Sequence, residues 1–132
     1  MKDKKFVFPN MECKFSIQVV GEETGINWAG DFVYKRPTLQ ERAMIDAMRA
    51  RLGNDLRTLD PDVVAFNESL SCLRFTLKEY PTWWKETDMG GSLYDGNVIL
   101  EVYAKCMEFE ANWKTKIHSG NPDDVSKDQP TI

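Results

Sequence analysis

The one imidazole and three thiols of this sequence, the side chains best suited to act as nucleophile, proton carrier or soft metal ligand, are His118, Cys13, Cys72 and Cys106. A catalytic histidine needs a partner to orient it and a sheltered setting. His118 instead follows Lys114 and Lys116 at the end of a helical pattern, where a solvated cation is favourable. The cysteines are odd in number and far apart, with no Cys-x-x-Cys spacing and no Cys/His pairing. They suggest neither a disulfide framework nor a zinc site, and read as buried, reduced thiols. No Gly-x-Ser-x-Gly elbow occurs, and no cysteine has a base beside it in sequence. Asp55, Asp60 and Asp62 could hold a cation, but acids at Asp60-Pro61-Asp62 are explained by a helix N-terminus. Glu22-Glu23 fits a solvated hairpin loop. Gly90-Gly91 and Gly96 lack the following Lys-Ser/Thr that a phosphate loop requires. No catalytic residue, metal ligand or cofactor is therefore expected, and an enzyme is disfavoured.

The aromatic residues Tyr80, Trp83 and Trp84 differ in kind, because they stand together in a connector instead of on a helix face. One reading has Trp83 or Trp84 folding back as a lid on the helical core. The other makes Tyr80, Trp83 and Trp84 an exposed platform of the sort that anchors protein–protein interfaces. This cluster is the candidate partner-binding site.

The 132 residues are 42% hydrophobic and 29% charged, and 21 acids against 17 Lys and Arg leave a net charge of −4. That is the composition of one globular domain, which buries roughly two-thirds of the surface of its unfolded chain without needing a disulfide or metal. The acidic balance, with Lys35-Arg36, Arg49 and Arg51 interleaved by Glu41 and Asp46, argues against nucleic acid as a partner. Phe6-Val7-Phe8 is too short for a signal peptide core and no run approaches a membrane span, so an intracellular protein with no membrane partner is expected.

The elements that must position these residues divide into strands and helices. Cys13, Phe15, Ile17 and Val19 alternate with Lys14, Ser16 and Gln18, the period of a half-buried strand. Gly21-Glu22-Glu23-Thr24-Gly25 makes a loop, and Ile26, Trp28, Gly30, Phe32 and Tyr34 share a face of a second strand. Phe6-Val7-Phe8 is a candidate third strand. Thr38 and Glu41 form a capping box for a helix over residues 39–52, ended at Gly53-Asn54. Its apolar residues Leu39, Ala43, Met44, Ala47, Met48 and Leu52 leave only a narrow polar stripe, which implies contact on more than one side. Val63, Phe66, Leu70, Leu73 and Leu77 set an apolar seam on a helix opened by Asp60 and stopped by Tyr80-Pro81.

A last helix runs from about Asp95 to Ile117 with Val98, Val102, Cys106, Phe109 and Trp113 on one face. Glu101–Lys105 and Glu110–Lys114 are spaced as ion pairs. The expectation is an α+β fold: an N-terminal antiparallel β-hairpin, with room for a third strand, packed on a bundle of about three α-helices. It forms one domain over residues 1–118, with a flexible tail over 119–132 that contains too little apolar matter to fold.

The order of segments resembles a known family. Gly30-Asp31-Phe32-Val33-Tyr34-Lys35-Arg36-Pro37-Thr38 leads into a helix, and Tyr80-Pro81-Thr82-Trp83-Trp84 follows it. Farther on come Leu93-Tyr94-Asp95-Gly96-Asn97-Val98 through Tyr103, then Phe109-Glu110-Ala111 and Trp113. Across residues 13–115 this pattern is similar to the small tail assembly chaperones of long-tailed bacteriophages. The resemblance implies a non-enzymatic protein of the host cell cytoplasm that binds the tape measure protein, keeps it soluble and helps tail tube protein polymerise around it. It also implies absence from the finished virion and, often, a longer frameshifted form; it carries no catalytic residues. A structural virion component, such as a head–tail connector or tail accessory subunit, is the competing expectation, and a host regulator that binds another protein is a third. Whether the chain forms a homo-oligomer is left open by the sequence.

Overall fold

The computed structural model describes residues 9–53 and 60–118. Strands β1 (Glu12–Val20) and β2 (Asn27–Lys35) are followed by helices α1 (Leu39–Gly53) and α2 (Pro61–Thr76), strand β3 (Leu77–Glu79), a short helix α3 (Thr82–Glu86) and the long helix α4 (Gly96–His118). The fold is α+β. Its antiparallel sheet has the order β1-β2-β3, with β2 central.

The hairpin follows the sequence pattern. Phe15 lies opposite Phe32 and their rings stack at 5.4 Å, while Ile17 faces Gly30 and Val19 faces Trp28. The loop closes through Gly21 N–H to the Ile26 carbonyl at 2.8 Å, and Gly25 takes the left-handed conformation (φ 73°) that favours glycine. On the outer face Ser16 donates to its cross-strand partner Asp31 at 2.5 Å.

The third strand is Leu77–Glu79; Phe6-Val7-Phe8 lies outside the described residues. Helix α2 therefore ends at Thr76 and not at Tyr80, and Leu77 pairs with Tyr34 while Glu79 pairs with Val33 across an irregular register. The apolar seam could not reveal this, because Leu77 is buried in either role. The open edge of β2 supplies backbone partners that a further turn of helix would otherwise have to find. The start of α2 is as read: Asp60 caps it by accepting the Asp62 N–H at 2.8 Å.

Helix α1 begins with the expected capping box, Thr38 N–H to Glu41 at 3.0 Å and Glu41 N–H to the Thr38 hydroxyl at 3.2 Å. Gly53 closes it without a positive φ, and Asn54 lies outside the described residues. Its packing differs from expectation. Ile45 is its one buried residue, while Leu39 is 82% and Met44 46% exposed. The helix packs chiefly on α2, with Met48 and Leu52 half-buried, while Leu39, Ala43, Met44, Ala47 and Ala50 face outward. The core lies elsewhere, where Phe32, Tyr34, Leu73, Trp84, Val98 and Val102 meet between the sheet, α2 and α4.

Neither expected ion pair on α4 forms among the described residues; Glu110 turns inward to β2 and leaves Lys114 alone. The expected tail over residues 119–132 lies outside the described residues. No described helix is long and apolar enough to cross a membrane.

Candidate partner-binding surface

The three aromatic residues of the candidate site do not form one platform. Trp83 and Trp84 are consecutive on α3, and neighbouring helical residues point about 100° apart. Trp84 goes inward and is fully buried, meeting Phe32 edge-on at 5.5 Å. Gly90 (φ 88°) lies so close beneath that indole that a Cβ would collide with it. Trp84 is thus the core lid and is removed from any partner-binding platform, because the residues around it leave no solvent path. Trp83 stays half-buried, tilted against Trp28 at 4.8 Å, and its Nε1 donates to the Ala29 carbonyl at 2.9 Å. Tyr80 is half-buried and packs against the core. The cluster fastens α3 to the sheet. The signal for α3 was Pro81-Thr82, a proline at the N-cap of a single helical turn.

Two polar nodes join the hairpin to α4. Asp95, expected only to start the last helix, is fully buried. Its Oδ1 accepts the backbone N–H groups of Glu23 at 2.8 Å and Thr24 at 2.9 Å. Its Oδ2 accepts the Thr24 hydroxyl at 2.5 Å and the Trp28 indole N–H at 2.8 Å. Asn97 adds a second tie, accepting Glu22 N–H at 3.2 Å and donating to the Val20 carbonyl at 2.9 Å. Burial alone would raise the Asp95 pKa, but the hydrogen bonds from Thr24, Trp28 and Glu23 outweigh it and hold the carboxyl at about 2. Gly21 is required here, because a side chain at that position would strike the Asp95 carboxylate. With both oxygens occupied, Asp95 is a fastening point and not a base or a metal ligand. No local spacing could have found it, since its partners lie some 70 residues earlier in the chain.

The second node is Glu110. The Tyr34 hydroxyl donates to its Oε2 at 2.6 Å, and Arg36 Nε donates to Oε1 at 2.9 Å. The Arg36 guanidinium also sits 3.7 Å over the Trp113 ring, and Trp113 Nε1 donates to the Asn10 carbonyl at 3.1 Å. Burial, then the Glu110 carboxylate, pushes the Tyr34 hydroxyl far above its ordinary value, so it remains a donor. Burial likewise pushes the thiols of Cys72 and Cys106 up, which keeps them protonated and unreactive. Among the described residues no group of three His, Cys, Asp or Glu could hold a metal ion. Asp60 and Asp62 are exposed at the α2 cap; Asp55 and the His118 side chain lie outside the description.

Large apolar side chains are exposed at the hairpin end and around the start of α4 (Val20, Ile26, Tyr94, Leu100), at the start of α2 (Val63, Val64) and on α1. Leu39, Ala43, Ala47 and Ala50, at helical spacing, form an exposed stripe with Met44 beside it. On the opposite flank of α1, a cleft of about 370 Å³ opens toward α4. It is floored by Ile45, Cys72 and Met107, walled by Tyr34 and Tyr103, and rimmed by Arg42 and Lys114. Comparison of the chain with protein-family models, curated proteins and solved structures finds no match.

Proposed function

We propose that the chain is a non-enzymatic tail assembly chaperone of a long-tailed bacteriophage, acting in the host cytoplasm on the tape measure protein while tail tube protein assembles. The observation that carries this reading is the outward apolar stripe of α1. Leu39 and Met44 are 82% and 46% exposed on a helix with one fully buried residue, in a chain of net charge −4. A chaperone for an aggregation-prone helical client needs accessible apolar surface and enough like charge to stay soluble itself. The sequence resemblance supplies the identity of the client and the tail context.

Co-expression with the tape measure protein tests the reading. The client should move from the insoluble to the soluble fraction, and Leu39→Glu/Met44→Glu should reverse that while the chaperone itself melts normally. Unchanged client solubility would sink the proposal. Recovery of the chain in stoichiometric amounts from purified particles would point instead to a structural virion component.

A further inference from the structure

Helices α1 and α4 both pack on α2, and the cleft between them is open-sided. Each helix lines it with residues at helical spacing: Arg42, Ile45 and Arg49 from α1, and Tyr103, Met107 and Lys114 from α4. From Tyr103 to Lys114 the groove runs about 16 Å along α4, the length of about three helical turns. Its volume of about 370 Å³ suits a few inserted side chains. Most polar groups that line the cleft are already matched, which leaves little to orient a small polar ligand. Glu110 is saturated by Tyr34 and Arg36, and Asp46 accepts Arg49 at 3.1 Å.

The charges left over are both positive. Arg42 and Lys114 are exposed and take part in no ion pair among the described residues. Both line the cleft. Arg36, at the end of β2, touches Glu110 and Trp113 of α4, and the chain then enters α1 within a few residues. An acidic protein thus carries two uncompensated cations beside an apolar floor. That combination matches a helix whose apolar side chains recur at i, i+3, i+4 and i+7 and whose C-terminal end, the negative end of its dipole, bears carboxylates.

We infer that the α1–α4 cleft seats an amphipathic helix of the partner, with apolar side chains over Ile45, Cys72 and Met107 and an acidic C-terminal turn held by Arg42 and Lys114. The inference rests on the reading of the chain as a client-binding protein and locates the chemistry of that contact. It is distinct from the outer stripe of Leu39 and Met44.

The test uses the full chain and two labelled helical peptides with identical leucine anchors, one ending in glutamates and its twin in lysines. Fluorescence anisotropy should give saturable binding of the acidic peptide, weakening as salt is raised, and at least about tenfold weaker binding of the lysine twin. Arg42→Glu/Lys114→Glu should invert that preference. Both sites are exposed, and a normal melting curve checks that the variant folds. Equal binding of the twins, no binding of either, or an unchanged preference in the charge-reversed variant would each overturn the inference. No peptide binding together with intact client solubilisation removes the cleft and spares the chaperone reading. Peptide binding with the predicted inversion, but no client solubilisation, does the reverse.

Discussion

The two faces of α2 are finished to different standards. On one side the hairpin and α4 are locked by Asp95, Asn97 and Glu110 and filled by Phe32, Trp84, Val98 and Val102. On the other, α1 contributes a single buried side chain, Ile45, and turns Leu39 and Met44 to solvent. One ion pair, Lys78 to Glu41 at 2.7 Å, ties α1 to β3. The difference separates two jobs that composition alone blends together. Most of the described aromatic residues serve to close the hairpin–α4 half, with Tyr94 left 83% exposed, whereas the apolar stripe on the less secured helix is aliphatic.

The sharpest way to break that comparison is to remove the lid. Trp84→Ala should cost about 3–5 kcal/mol of unfolding free energy in urea titration, since the indole is fully buried and Gly90 cannot fill the void. A loss below about 1 kcal/mol would mean that the aromatic cluster does not hold this half. Next in size is Glu110→Gln, which keeps the shape but leaves the Arg36 guanidinium, with its side chain only 12% exposed, without a counter-charge. An expected loss of about 1.5–3 kcal/mol should shrink in an Arg36→Met background, because the pair is then absent from both members of the cycle.

Acid probes the other node without a substitution. The Asp95 carboxyl has its pKa lowered from 3.8 to about 2 in the folded chain, so its stabilisation is complete above 3.8 and is lost as pH falls toward 2. Thermal unfolding midpoints should therefore drop across that interval, and Asp95→Asn should flatten the slope there. Glu41 adds a contribution of the same sign: burial opposes it, but the Lys78 and Thr38 hydrogen bonds lower its pKa. Glu41→Gln is the matched control. If Asp95→Asn leaves the acid slope as steep as before, the Asp95 node is not what the hairpin loop depends on.

How much of this was legible depends on range. The Thr38–Glu41 capping box and the Asp60 cap rest on neighbours within a few residues, and the hairpin on two alternating runs joined by one short loop, so the sequence states them directly. The residues that carry the family resemblance prove to have fold-building contacts: Gly30 under Pro81, Tyr34 and Arg36 on Glu110, Trp83 on Trp28. Their pattern therefore speaks of architecture more than of a binding site. Asp95 and Glu110 were opaque, because an acid at a helix start or at i, i+4 from a lysine has an ordinary local explanation that hides its distant partner. Leu77 is ambiguous for the same reason: burial fits both a helical seam and a strand edge.

The α1 stripe is ambiguous in a different way, since an apolar helix surface signals contact without saying whether the contact is internal. This gives the smallest expected effect and the one that bears most on function. Leu39→Ser and Met44→Ser should each change stability by no more than about 0.5 kcal/mol, because neither side chain belongs to the packed core. Amide hydrogen exchange should agree, with α1 amides outside the Ile45 turn exchanging well before those of β2 and α4. If α1 proves as protected as the core, or Leu39→Ser is as costly as a core truncation, then α1 has an internal partner, and the free apolar surface on which client binding is argued does not exist.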